Sequence, residues 1–205
     1  MFRSNQLVIF ASSLFFSAFY NDLFWKKVAD TYAFNSENLW YFISLFILLN
    51  TIIYIVLNLI NFKYILKSVL IILFMVSALV SYFMNSYGII IDDQITNKLS
   101  TIQTTEMKNL FSWKLALDIF IFGIIPSLIV YFSNIEYKTF WKHLLTKFLG
   151  IIVALLIIVA NLYLFDKFYT SFFKEHKALR YYTNPIYYLY YSGKFVYNKE
   201  QNKQN

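Results

Sequence analysis

Five apolar stretches, residues 7–24, 39–60, 68–84, 115–132 and 148–165, constrain this chain more than any other feature. A helix needs about 17–25 such residues to cross a hydrocarbon layer. No Lys, Arg or Glu lies inside the five, and Asp occurs only near their ends, at Asp22 and Asp118. A charge at the centre of a span costs about 2.5–3.5 kcal/mol, so this distribution is what insertion demands. The expected fold is all-α: an integral membrane bundle of five transmembrane helices, with short outer-surface helices and a C-terminal amphipathic bridging segment.

Composition agrees. Charged residues make up 14% of the 205, where a soluble domain carries about a quarter. With no cysteine, disulfides and thiolate metal sites are excluded. The net charge of +7 comes from basic residues scattered between the apolar runs. They read as span flanks, and nucleic acid is not an expected partner. The first run follows Arg3, but Trp25-Lys26-Lys27 succeeds it where a cleaved signal would need small residues, so it reads as a retained helix.

Loop charges orient the bundle. With the N-terminus inside, the inner segments hold Arg3, Lys63, Lys67, Lys138, Lys142 and Lys147 against Glu136 alone. The outer loops mix Lys26, Lys27, Lys98, Lys108 and Lys114 with five acids. The expectation is N-inside and C-outside. The seven Lys and Arg after Asp166 argue the other way, an objection that a long exported continuation softens.

Between the third and fourth runs lies a mixed segment. Gly88 suits a sharp exit from the third span, and Asp92 or Asp93 suits a helix start. Ile95, Leu99 and Ile102 then recur at helical spacing, with Asn97, Thr101 and Thr104/Thr105 opposite. Residues 93–102 are expected as a surface helix lying flat, and outer-loop helices are expected over about 93–114.

This segment resembles the first outer loop of the lipid A phosphoethanolamine transferases, in Tyr87-Gly88-Ile89-Ile90-Ile91-Asp92 with Asn97 and Thr101, and in Glu106-Met107-Lys108-Asn109-Leu110. The run from Lys174 through Glu175, His176 and Arg180 to Asn184-Pro185 resembles that family's bridge to its exported catalytic domain. The resemblance implies a five-span membrane domain over 1–166, a bridging helix and tail over 167–205, and a bacterial inner membrane. It implies a phosphatidylethanolamine-docking platform, with lipid A as a further partner. The head group would meet an Asn, a Thr and a Glu spaced four apart. Asn97 and Thr101 match; Thr105 holds the third position, with Glu106 displaced by one. A phosphate wants amide and hydroxyl donors, and an ammonium wants a carboxylate. The nucleophile and zinc ligands are implied in the catalytic domain, so no cofactor and no catalytic residue is expected here, and the membrane half alone is expected to be inactive.

Plainer readings stand beside these. A solvated helix face also accounts for Asn97, Thr101 and Glu106. Asn50, Tyr54, Asn58 and Asn61 share one side of the second span and read as interhelical hydrogen bonding, and Ser77, Ser81 and Asn85 make a similar stripe. Gly123 and Pro126 mark a kink, His143 an inner interface anchor, and His176 a surface or linker position. The basic residues and tyrosines of the tail suit anionic lipid A head groups or general membrane adhesion. A non-enzymatic inner-membrane protein, such as a small transporter subunit or assembly factor, remains the alternative function.

Overall fold

The computed structural model describes residues 4–88, 112–136 and 139–204, and every named element among them is helical. Helix α1 spans Asn5–Phe19, α2 Asp22–Thr31, α3 Leu39–Leu59 and α4 Leu66–Tyr87. After the undescribed stretch, α5 (Trp113–Asp118), a π-turn (Ile119–Ile124) and α6 (Ile125–Tyr131) form one rod, followed by α7 (Phe140–Leu164). The chain closes with α8 (Asp166–Glu175), a 3-10 turn (Lys177–Tyr182) and α9 (Ile186–Gln204).

Four of these rods are long and apolar enough to cross a membrane, and the bent pair α1–α2 is a fifth candidate. The 21 residues of α3 rise about 31 Å, close to the hydrocarbon thickness of about 30 Å. The spans run up and down, which places Asn5, Leu59, Leu66, Tyr131 and Phe140 at one end, called here the N-terminal end. The far end carries α2, the C-terminus of α4 and the segment after α7.

Helix α1 is central. It packs on α3, and its Phe16 ring stacks on Phe74 of α4 at 4.9 Å. Ser12, Ser13 and Ser17 line its buried face, the small residues that let membrane helices approach closely. Helix α7 packs on α3, and α4 packs on the α5–α6 rod. The outer side of α7 is apolar and exposed, at Leu156 and Val159 for example. In a bilayer such a face meets lipid rather than water.

The stretch 7–24, expected as one helix, is divided. Helix α1 ends at Phe19 and the axis turns by 54° into α2. The cause is Asn21, fully buried, whose Nδ2 donates to the Phe16 carbonyl at 2.8 Å and to the Asn184 carbonyl at 2.7 Å. Its side chain ties the turn to a distant backbone, so the helix cannot run straight through. The amphipathic α2 that follows is not among the elements expected from the sequence; Phe24 and Val28 are its buried side. The bridging segment is likewise divided: α8 stops at Glu175, before the tighter turn that precedes the cis Asn184–Pro185 peptide.

At Gly123 and Pro126, where a kink is expected, the structure shows a π-turn that ends just before Pro126. Proline has no N–H to give the carbonyl four residues back, which here is Phe122. The Tyr20 hydroxyl donates to that carbonyl instead. A polar side chain from α1's end thereby satisfies a backbone group freed within the bundle.

Two members of the stripe on α3, Tyr54 and Asn58, make the interhelical bonds expected of it, whereas Asn50 Oδ1 and Asn61 Oδ1 are buried without a hydrogen-bond partner among the described residues. Tyr54 donates to Gln6 at 2.7 Å, Asn58 donates to the Lys147 carbonyl at 3.2 Å, and Gln6 donates to Asn58. Gly150 of α7 lies against this cluster: a Cβ there would sit 2.5 Å from the Tyr54 hydroxyl. His143 ties the same end together, with Nδ1 2.9 Å from Asn5 Nδ2 and Nε2 3.2 Å from the Asn61 carbonyl.

Candidate functional site

The residues singled out for the head group, Asn97, Thr101, Thr105 and Glu106, fall in 89–111, outside the described residues, as does most of the expected 93–114 helical platform. The structure does describe the two stems of that stretch, both at the far end. Helix α4 closes on Gly88, whose φ of 63° is left-handed, the conformation only glycine adopts without strain. On the other side Ser112 caps α5, its side chain accepting from the Leu115 N–H. Tyr82 and Ser112 join their hydroxyls at 2.7 Å. Asn85 adds a bond to Ser81 at 3.3 Å.

The segment after α7 is bolted down beside these stems by three buried polar links. The Asn184 N–H donates to Asn21 Oδ1 at 2.7 Å, reciprocating the bond from Asn21 to the Asn184 carbonyl. Asn184 Nδ2 reaches the Ser77 carbonyl at 3.2 Å, and Ser77 meets the Tyr188 hydroxyl at 3.1 Å. Nearer α7, Ser44, Asn161 and Tyr169 form a closed ring. Asn161 donates to the Tyr169 oxygen at 3.0 Å and Ser44 donates to Asn161 at 2.8 Å. The 2.7 Å contact between Tyr169 and Ser44 closes the cycle. Burial raises the Tyr169 hydroxyl above its ordinary pKa and pushes Tyr188 up to about 12, so both stay neutral hydrogen-bonding groups near neutral pH. Sequence reasoning missed Asn21 and Asn161, and it read Asn184 as part of the bridging motif without the buried tie it makes. Their signal was a lone amide in or beside an apolar run, but nothing in the sequence pairs residues 163 positions apart.

Aromatic rings complete the dock. Tyr41 stacks on Phe168 at 4.4 Å, and Tyr32 packs against Phe172 at 6.3 Å. His176 sits 5.7 Å from the Tyr32 ring. Between α3 and the 3-10 turn remains a cleft of about 420 Å³. Leu45, Leu48, Leu49 and Ile52 of α3 form one wall, Phe172 and Phe173 another, and Lys177 and Arg180 stand at its rim. A second cleft of about 540 Å³ shares Arg180, Thr183 and Ile186 with it and is lined further by tyrosines and Lys194.

A metal finds no place among these residues: no group of three or more His, Cys, Asp or Glu converges among the described residues. Both ring nitrogens of His143 are engaged at the N-terminal end, whereas His176 packs among rings at the far end. The resemblance places the zinc ligands in the family's exported catalytic domain, not among these residues.

The family model described as phosphoethanolamine transferase EptA/EptB matches residues 49–200. The chain belongs to that family. It corresponds to the N-terminal membrane domain of the phosphoethanolamine transferases. It is 35% identical over 196 residues to phosphatidylethanolamine transferase Mcr-1 of Escherichia coli, an alignment covering 94% of this chain and 36% of that protein. Phosphatidylethanolamine transferase Mcr-2, also of Escherichia coli, is 31% identical, with 90% and 34% covered. The chain thus spans about a third of the length of these curated relatives. The fold matches the integral membrane protein lipooligosaccharide phosphoethanolamine transferase A of Neisseria meningitidis at a TM-score of 0.86. That match covers 98% of this chain and 37% of the other, at 22% identity.

Proposed function

We propose that this chain is the membrane-anchoring and phosphatidylethanolamine-docking domain of a phosphoethanolamine transferase that modifies lipid A or a related envelope acceptor. Likeness over nearly the whole chain to proteins named phosphatidylethanolamine transferases carries this reading. The hydroxyl clasp of Tyr82 and Ser112, which joins the stems of 89–111 at one end of the bundle, supports it. In this reading Asn97 and Thr101 donate to the head-group phosphate, and Glu106 or Thr105 receives the ammonium. The proposed role is docking; transfer would draw on a nucleophile and metal outside the described residues.

Lipid binding by native mass spectrometry tests it, with phosphatidylethanolamine and phosphatidylcholine of identical chains. The trimethylated ammonium of the latter has no N–H to donate, so phosphatidylethanolamine is expected to be retained more strongly. Asn97→Ala and Thr101→Ala are each expected to weaken it by about 1.5–3 kcal/mol, as for a hydrogen bond to a charged group. Equal retention of the two lipids by the parent chain would overturn docking. Transfer of phosphoethanolamine to lipid A by this chain alone would overturn the assignment of chemistry elsewhere.

A further inference from the structure

The two adjoining clefts at the far end differ in character along a single line. The first reaches down α3 to Ile52, 13 residues beyond the start of the helix at Leu39, which is about 20 Å at 1.5 Å per residue. That is the depth at which acyl chains lie, and its walls there are leucine, isoleucine and phenylalanine. Lys177 and Arg180 stand at its rim. Beyond Arg180 the second cleft is lined by tyrosine rings and hydroxyls, at Tyr181, Tyr187 and Tyr190, and by Lys194. Arg180, Thr183 and Ile186 line both.

We infer that this double cleft binds an anionic phospholipid: one acyl chain fills the apolar cleft along α3, Arg180 holds the phosphate at the shared waist, and the head group lies in the tyrosine-lined cleft. Charge selects the occupant. Lys177, Arg180 and Lys194 line the clefts, and among the described residues neither lining includes a carboxylate. Glu175 lies one residue from the rim residue His176, on the Tyr32 side. A zwitterionic lipid would bring an ammonium toward Lys177, Arg180 and Lys194, the charged groups described in these linings, whereas a net negative head group is attracted by all three. Arg180 is suited to the waist. A guanidinium carries five N–H donors in a planar fork that matches a phosphate. Its hydrogen bond to Tyr181 at 3.3 Å, with the guanidinium 5.1 Å from that ring, orients it. This site uses none of the residues proposed for phosphatidylethanolamine.

Retention of dioleoyl phosphatidylglycerol against dioleoyl phosphatidylcholine, read by native mass spectrometry of the full chain, is the test. Both lipids offer a phosphate to Arg180, but only phosphatidylcholine brings a cation against Lys177 and Lys194, so phosphatidylglycerol is expected to be retained about tenfold more strongly, about 1.4 kcal/mol. Arg180→Ala combined with Lys194→Ala should abolish the preference. These are exposed residues, so folding is expected to survive. Glycerophosphoglycerol, the head group without chains, should fail to displace the lipid, because the apolar cleft stays empty. Equal retention of the two lipids, an undiminished preference in the double variant, or displacement by the head group alone would each overturn the inference. Asn97→Ala should lower phosphatidylethanolamine retention and leave phosphatidylglycerol unchanged; a loss of both would show one shared site and overturn the separation.

Discussion

Single polar side chains decide where this chain departs from straight helices. Pro126 was legible as a kink because its chemistry is local: a missing N–H frees a carbonyl four residues earlier. The group that answers that carbonyl, Tyr20, was not legible, since it lies 102 positions away. Tyr20→Phe keeps the ring, which packs edge-on to Phe15 at 5.5 Å, and removes only the hydroxyl. The Phe122 carbonyl would then be left without this donor inside the bundle. The expected cost is about 1–3 kcal/mol, the penalty for an unsatisfied buried polar group. Reversible unfolding in mixed micelles measures it. A variant as stable as the parent would show that the carbonyl finds another donor. Asn21 makes the same point about legibility. Its amide was visible at the end of an apolar run, yet its partner Asn184 became visible only in the fold.

At the scale of elements, the length of the uncharged apolar runs carried the transmembrane helices, because burial in lipid imposes a length and excludes charge. The amphipathic α2 was harder to foresee. Its polar side pairs Lys26 with Asp22 at 2.6 Å, and such a short helix reads in sequence as a charged loop. In the polar stripe of α3, Tyr54 and Asn58 were legible as interhelical glue. Its counterpart on α7 was not, because that counterpart is partly an absence: Gly150, where a side chain would displace the Tyr54 hydroxyl. Gly150→Leu is therefore expected to push α7 from α3 and break the Tyr54–Gln6 bond. Overpacking of this kind typically costs about 1–3 kcal/mol. Thermal unfolding should show the loss for Gly150→Leu, with Ile151→Leu, at a neighbouring position on α7, near the parent. Equal stability of both variants would mean that the α3–α7 crossing has slack that the distances do not suggest.

For the whole molecule, the open question is which end faces the cytoplasm. The N-terminal end carries Lys63, Lys67, Lys142 and Lys147, with Glu136 the acid between its spans. At the far end, Lys26 is paired with Asp22, and Lys27 lies 3.8 Å from Asp30. Short-loop cations mark the cytoplasmic side, and on that ground we propose that the N-terminal end lies inside. The seven Lys and Arg after Asp166 belong to the far end and weigh against this, but three of them, Lys177, Arg180 and Lys194, line the clefts. If those cations serve lipid binding, they do not report on insertion. The absence of cysteine makes the orientation directly measurable. Lys63→Cys and Glu37→Cys each introduce one thiol at an exposed position, on opposite ends. A membrane-impermeant maleimide added to intact spheroplasts is expected to label Glu37→Cys and to reach Lys63→Cys only after lysis. The reverse pattern would invert the bundle. It would also put the proposed docking surface in the inner leaflet, away from any acceptor on the outer face of the membrane, and the functional reading would fall with the orientation.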